Sequence, residues 1–351
     1  MFSLHDYHDM AAPGNSTRRR EAHSAGRNAA RIGGGERDAR PSGQRERDAR
    51  PTGQSGARTQ TLFQNHVLTG DCREWLRVLP DASVDLVVTS PPYADARART
   101  YGGVHPDGYV AWFLPIAAEL RRVLKPSGSF VLNIKERVVA GERHTYVLEL
   151  ILALREQGWL WTEEYAWHKK NCYPGKWPNR FRDAWERCLH FTRAKRFKMF
   201  QDAVRVPMGD WATSRLRKLS ATDRQRDPSR VGSGFGKNVS NWLGRELAYP
   251  TNVLHLATEC ANRAHSAAFP QALPEWFIRL FTEPGDLVLD PFLGSGSTAL
   301  AAQKLGRAWC GIELHPEHAA QAEAALAGQE RELATFLASA ATRQLKLGTG
   351  D

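Results

Sequence analysis

The sequence predicts an α/β protein built on a mostly parallel sheet with helices on both faces. Three observations carry that expectation. From about residue 61, short apolar runs alternate with stretches of helical periodicity. Strand–helix alternation of this kind implies parallel strands joined by covering helices. Two of the runs end in abrupt corners, TSPPY (89–93) and DPFLGSG (290–296), and open α/β sheets bind ligands beyond the C-terminal ends of their strands.

The elements follow in order. VDLVV (84–88) is a strand. GYVAWFLPIAAELRRVL (108–124) has helical spacing, and KPSG (125–128) stops it with Pro and Gly. SFVLNI (129–134) is the next strand, and HTYVLELILALREQ (144–157) a helix closed by Gly158. EYAWHK (164–169) and RCLHF (187–191) read as strands. Residues 195–250 break the rhythm, because RLRKLSATDRQRDPSRVGSGFGKN (215–238) has few large apolar residues and many Gly, Ser and Arg. That segment reads as an insertion, partly loop. The scaffold resumes with a helix at FPQALPEWFIRLF (269–281) and a strand at DLVLD (286–290). A tight loop, PFLGSG (291–296), leads into the helix STALAAQKLG (297–306). AWCGIEL (308–314) is a further strand, and an Ala-rich helix follows Pro316.

The first 60 residues stand apart. ERDARPSGQ (36–44) is followed by ERDARPTGQ (46–54), and the segment is poor in large apolar residues. It cannot bury enough surface to offset its ordering entropy, so a disordered tail is expected. An inert tail is the favoured reading over a weak nucleic-acid arm.

Composition bounds the rest. The 351 residues are 42% apolar and 25% charged, enough for one large domain or two ordinary ones. No apolar run approaches the roughly eighteen residues of a membrane helix, and the start has no apolar signal core. A soluble cytoplasmic protein without a membrane partner is expected. The five cysteines (72, 172, 188, 260 and 310) have no C-x-x-C pair. That fits reduced thiols, with no disulfide frame and no metal site. The net charge of +10 is unevenly placed: residues 1–60 carry +4 and residues 195–245 carry +8. An internal basic block is the electrostatic footprint of a polyanion binder.

VLDPFLGSGSTALAA (288–302) carries the strongest cofactor signal. Gly294 and Gly296 let the backbone approach a ligand, and the following helix offers amides and a dipole. Glu313, nineteen residues after Gly294, ends the next strand and can accept hydrogen bonds from ribose hydroxyls. An ATP P-loop would need Gly-Lys-Ser/Thr, which is missing here. A dinucleotide site and an S-adenosylmethionine site both fit; the latter suits Asp290, which can face an ammonium group from the strand tip.

TSPPY suits methylation of an exocyclic base amine. That amine's lone pair is delocalised, so a site helps by accepting hydrogen bonds from the NH2 group. The Ser90 hydroxyl and the Pro91 carbonyl can accept, Pro91 and Pro92 stiffen the corner, and Tyr93 can stack on an extruded base. Alone, S-P-P-Y is a strand-ending turn with a packing Tyr; the glycine corner reverses that judgement.

TSPPY together with DPFLGSGST resembles the amino-methyltransferases of DNA from restriction–modification systems. The catalytic corner precedes the cofactor corner with a basic segment between, as in their circularly permuted β class. The resemblance covers roughly residues 61–328. It implies a Rossmann-like methyltransferase fold, S-adenosyl-L-methionine as cofactor, and double-stranded DNA as substrate. It also implies methionine-side and backbone contacts at Asp290, Phe292, Gly294 and Gly296, with Ser297 and Thr298 at the helix start beside them. Glu313 resembles the ribose acid, and Asp71 in TGDC (69–72) the acid at the adenine edge, a helix-capping Asp being the alternative. HSAAFPQALPEWFI (265–278) resembles the segment closing over the methionine end. NRFRDAWERCLHFTR (179–193) resembles the motif beside the flipped base, with Phe181 and Trp185 as pocket aromatics. The resemblance divides the chain into a tail (1–60), a catalytic half (61–194), a target-recognition region (195–250), a cofactor half (251–328) and a C-terminal helix or tail (329–351). Within that family S-P-P-Y is typical of cytosine N4 enzymes and D-P-P-Y of adenine N6 enzymes, so Ser90 points to N4 of cytosine, with adenine N6 as the first alternative and a noncatalytic DNA-binding relative as the second. C5-cytosine chemistry is disfavoured, because no cysteine here follows a Pro. A monomer is expected, with a dimer as alternative, and a cognate endonuclease as genetic partner.

Overall fold

The computed structural model describes residues 63–96, 102–172, 175, 178–209, 245–258 and 269–348, with side chains to 335. The expected tail, the basic stretch 215–238, Cys260 and residues 265–268 lie outside them.

The chain enters the sheet at β1 (His66–Thr69) and turns into helix α1 (Cys72–Val78). Both are too short to show a period in the sequence. The Asp71 side chain caps α1 by accepting from the Arg73 amide at 2.8 Å. Then come β2 (Val84–Thr89), α2 (Pro106–Val123) and β3 (Leu124–Ile134). In α2 the buried side chains Tyr109, Phe113, Ile116, Ala117, Leu120 and Val123 recur every three or four residues and form one stripe. KPSG does end the helix, and it forms the start of β3. The register between β2 and β3 shifts there, from Val84↔Leu124 to Leu86↔Ser129. Gly128 permits that irregularity, since a Cβ would sit 2.7 Å from the Asp85 carbonyl oxygen.

A small hairpin, β4 (Val138–Val139) with β5 (Glu142–Arg143), precedes α3 (Tyr146–Glu156). Next are β6 (Leu160–Lys169) and β7 (Trp185–Thr192), each longer than its expected apolar core. Strand β8 (Val206–Pro207) pairs antiparallel with β9 (Leu247–Ala248), and β10 (Val253–Leu256) returns to the main sheet. The final run is α4 (Ala272–Phe281), β11 (Leu287–Asp290), α5 (Ser297–Lys304), β12 (Ala308–Glu313) and α6 (Pro316–Gly348).

The main sheet has the order β1-β12-β11-β2-β3-β7-β6-β10. All its pairings are parallel except the two made by β7, which runs antiparallel to both β3 and β6. Helices α1, α2 and α3 cover one face, burying Leu76, Phe113 and Leu150 over Val87 and Leu132. Helices α4, α5 and α6 cover the other, burying Phe277, Ala301 and Ala322 over Leu86 and Val288. Burial on both faces explains why the central strands read as continuous apolar runs.

At the N-terminal edge of the central strands, buried Asp85 fixes three segments. It accepts from Lys125 Nζ at 2.7 Å and from the Leu287 amide at 3.0 Å, and Lys198 Nζ lies 3.4 Å away. Lys198 also bonds Asp286 at 2.8 Å. The opposite edge, at the C-terminal ends of β2 and β11, carries both sequence corners.

Candidate active site

Strands β2 and β11 are neighbours, paired Val288↔Leu86 and Leu289↔Val87. Their ends therefore emerge side by side, although they are about two hundred residues apart in sequence. One cavity of about 600 Å³ lies between them. Ser90, Pro91, Pro92 and Tyr93 line one side; Phe292, Gly294, Ser297 and Glu313 line the other, and Asp71 stands at its rim behind β1. Trp112 of α2 adds a ring 5.9 Å from that of Phe292.

Asp290 ties the two corners together from beneath. Its carboxylate accepts from the Thr89 hydroxyl at 2.6 Å, the Thr298 hydroxyl at 2.6 Å and the Phe292 amide at 3.0 Å. It is 2% exposed and does not line the cavity. The sequence expectation has this acid facing a ligand ammonium; in the fold its oxygens are turned inward to protein donors. Burial pushes its carboxyl up to about 6, against the pull of those hydrogen bonds. Thr298 is buried under the loop as the second hydroxyl on Asp290, so of the two residues opening α5 only Ser297 meets the cavity.

The glycine loop is shaped by both of its glycines. Gly294 and Gly296 have φ of 56° and 91°, in the left-handed region. A Cβ on Gly296 would meet the Ala322 Cβ at 3.1 Å, so the loop also packs tightly on α6. The Gly294 amide donates to Glu313 Oε2 at 2.8 Å, and the His315 amide to Glu313 Oε1 at 3.0 Å. His318 Nδ1 lies 3.6 Å from the same Oε1. A carboxylate has about four acceptor positions, so Glu313 keeps acceptor capacity on the cavity side. Asp71 likewise combines two positions: it caps α1 and lines the cavity. The hydrogen bond from the Arg73 side chain holds its carboxyl below the usual range.

On the other side, the corner is braced from below. The Tyr109 hydroxyl donates to the Pro92 carbonyl at 2.9 Å. The Ser90 hydroxyl donates to Tyr93 Oη at 3.3 Å, and the Tyr93 hydroxyl reaches Glu186 Oε2 at 2.7 Å and Asn133 Oδ1 at 3.1 Å. Lys169 Nζ bonds Glu186 Oε1 at 2.5 Å and lies 5.0 Å from the Trp167 ring centroid. Burial, reinforced by the Glu186 charge, pushes the Tyr93 hydroxyl well above its ordinary range, so it stays protonated.

Glu186, Lys169, Trp167 and Asn133 all line the cavity, and the sequence reading names none of them. It names Phe181 and Trp185 instead. Phe181 is 95% exposed, Trp185 is 45% exposed and faces Arg187, and neither lines the cavity. For Trp185 the reason is strand parity: adjacent residues point to opposite faces, so Glu186 turns in where Trp185 turns out, while Phe181 precedes β7. Among the described residues no group of three or more His, Cys, Asp or Glu could hold a metal ion.

A family model described as DNA methylase matches residues 84–324, from the start of β2 into α6. The chain belongs to the DNA methylase family. The type II methyltransferase M.PvuII of Proteus hauseri is 34% identical over 275 residues, covering 72% of this chain and 80% of that protein. M.BglII of Bacillus subtilis is 31% identical over 281 residues, covering 78% and 71%. Among solved structures, the cytosine-N4-specific PvuII DNA methyltransferase superposes with a TM-score of 0.56 at 28% identity, over 73% of this chain and 84% of that one. A putative DNA modification methylase of Thermus thermophilus complexed with S-adenosyl-L-methionine shares the fold, with a TM-score of 0.50 at 24% identity over 75% and 93%. This DNA methylase has both corners of its cavity inside the matched segment.

Proposed function

We propose that this DNA methylase transfers a methyl group from S-adenosyl-L-methionine to the exocyclic N4 amine of a cytosine in double-stranded DNA. The observation that carries the reading is the shared cavity. An acceptor corner, Ser90 and Pro91, faces a glycine loop and carboxylate, Gly294 and Glu313, across a space of about 600 Å³. That volume is typical of a small-molecule site.

The residues present fit the cofactor. Glu313 keeps acceptor capacity for ribose hydroxyls after its two amide bonds, and Asp71 offers a second carboxylate at the rim. Trp112 and Phe292 supply flat apolar walls, and Ser297 a hydroxyl near the loop. Asp290 acts by holding the glycine loop against β2 through its contacts with Thr298, Thr89 and Phe292. When bound, the cofactor supplies its methyl as an electrophile on sulfonium.

The chain's own residues then position the amine. A conjugated amine is a weak nucleophile, and acceptors on its hydrogens favour the pyramidal nitrogen with a free lone pair. Ser90 Oγ and the Pro91 carbonyl accept those hydrogens. The prolines and the Tyr109–Pro92 bond hold the corner rigid. Tyr93 presents its ring to the extruded base while its hydroxyl is tethered below. Ser90 in place of a carboxylate favours cytosine, and the PvuII methyltransferase that this chain resembles is described as cytosine-N4-specific.

The basic segment 195–250 serves as the target-recognition region, docking phosphates and reading bases. Residues 61–194 and 251–328 form the catalytic and cofactor halves, 1–60 a tail and 329–351 a C-terminal helix or tail. The protein acts as a monomer in the cytoplasm, beside a cognate endonuclease. Among the described residues no helix is long and apolar enough to cross a membrane.

Incubation of unmethylated DNA with tritiated cofactor, followed by nucleoside analysis, tests the reading. Labelled N4-methylcytosine supports it; labelled N6-methyladenine moves the substrate to adenine; no labelled nucleoside on any DNA overturns it.

A further inference from the structure

Glu186 and Lys169 form an ion pair inside the cavity that the positioning of the amine leaves unused. Side chains so paired are 8% and 18% exposed. Burying charge is costly, and breaking such a pair leaves an uncompensated charge. The contacts form one continuous line. Lys169 Nζ bonds Glu186 Oε1 at 2.5 Å, Tyr93 Oη lies 2.7 Å from Glu186 Oε2, and Ser90 Oγ lies 3.3 Å from Tyr93 Oη. Tyr93 has one hydroxyl proton and two acceptors in reach. The carboxylate is closer and charged, so it takes that proton in preference to Asn133 Oδ1 at 3.1 Å. The Tyr93 oxygen is then an acceptor for the Ser90 hydroxyl. The direction of the line is thereby fixed, and Ser90 is left with lone pairs, not its proton, for an incoming amine.

We propose that this line is the exit route for the amine proton, with Glu186 as its terminus and Lys169 as the residue that holds Glu186 in place. The inference rests on the amino-methyltransferase reading above. Methyl transfer leaves the broken C–S electron pair on the cofactor sulfur and a positive charge on the exocyclic nitrogen. One N–H bond then breaks and its electron pair returns to nitrogen. The proton bonds to Ser90 Oγ as the Ser90 proton passes to Tyr93 Oη and the Tyr93 proton to Glu186 Oε2. The product is a neutral methylamino base and a protonated Glu186, which later releases its proton to solvent. A conjugated amine holds an added proton very weakly, so the receiving carboxylate does not need to be a strong base. Lys169 holds the Glu186 carboxylate in place through its 2.5 Å contact, and Trp167 supports the ammonium through its ring face.

The test uses the full-length protein and single-turnover methyl transfer to duplex DNA containing its site. Glu186→Gln keeps an acceptor for Tyr93 but cannot keep a proton; Tyr93→Phe keeps the ring and breaks the line without touching the ion pair. Each is expected to slow the transfer step about 10- to 100-fold, the lower part of the range for acid–base assistance. Cofactor and DNA Kd, measured by direct binding, should stay within about twofold. The double variant should be no slower than the slower single one, because both interrupt one route. Added formate should restore part of the rate to Glu186→Ala. A wild-type rate in Glu186→Gln, losses that multiply in the double variant, or a slowdown matched by weaker binding or a lower Tm would overturn the route. The wild-type arm separates the two levels. If wild type methylates DNA and Glu186→Gln keeps pace, only the route fails; if wild type forms no methylated nucleoside, the functional reading fails and the route with it.

Discussion

Replacing Asp290 by Asn tests whether the acid at the strand tip is a support or a charged ligand contact. The carboxylate is buried and its pKa rises from an ordinary 3.8 to about 6. A raised acid binds its proton more tightly in the folded state than in the unfolded one. Stability contributed by this group therefore falls as pH rises through the window between 3.8 and about 6. Integrated over that window, the penalty is about 1 kcal/mol at pH 4.5 and about 3 kcal/mol at pH 7.5. The variant removes the ionisation but keeps an oxygen for Thr89 and the Phe292 amide, and the Thr298 hydroxyl can rotate to accept from the new amide. Urea unfolding of both proteins without cofactor at the two pH values cancels every other titrating group. The stability difference should move in favour of Asp290→Asn by about 2 kcal/mol between pH 4.5 and pH 7.5. A difference that stays constant, or moves in favour of wild type at the higher pH, would refute the argument. It would mean that the ionised form is the one the fold prefers.

Other substitutions separate the roles around the cavity. Ser90→Ala should lower kcat about 10- to 100-fold while leaving cofactor Kd within about twofold, measured by steady-state kinetics beside calorimetry. Glu313→Ala should do the reverse first: loss of a charged acceptor raises cofactor Kd about 10- to 100-fold, and kcat at saturation changes little. If both variants mainly weakened cofactor binding, the division between the two corners would be wrong. Gly311→Ala, in β12 beneath the loop it supports, would place a Cβ 2.4 Å from Leu293 Cδ2. Displacing Leu293 should cost about 1–3 kcal/mol in urea unfolding and weaken cofactor binding through the glycine loop.

Much of the fold is written locally. Apolar runs, Gly and Pro punctuation and helix stripes predict the alternating architecture, because each depends on a few neighbouring residues. The four-residue β1 and β10 are invisible for the same reason: HVLT and VLHL are too short to display a period of two. The start of β3 reads only as a helix stop because Pro126 and Gly128 are breakers in a helix and tolerated at a bulge. Within the cavity, the corners Ser90–Tyr93 and Pro291–Ser297 can be found from turn chemistry once the two are read together. Asp290 is located that way but its direction is not, since the Thr89 contact that claims it lies 201 residues away.

Glu186 escapes the sequence for a topological reason, and Lys169, which ends the expected strand EYAWHK, carries no signal of a site without its partner. The C-terminal ends of parallel strands all meet one edge of the sheet, so a search confined to strand ends finds Ser90, Asp290 and Glu313. Strand β7 runs the other way, with Asn133 opposite Cys188 and Ile134 opposite Arg187. Its beginning, not its end, therefore reaches the cavity. Lys169, at the end of β6, meets it there because β6 pairs antiparallel with β7, His168 lying opposite Trp185. One reversed strand thus delivers a carboxylate to an edge that otherwise receives only strand C-termini. Parity then decides which of two adjacent residues is used, and it selects the acid over the more conspicuous aromatic. Shifting β7 by one residue would put Trp185 against Tyr93 and leave Lys169 without its counter-charge. The register of that strand therefore fixes the direction in which Ser90 points its proton.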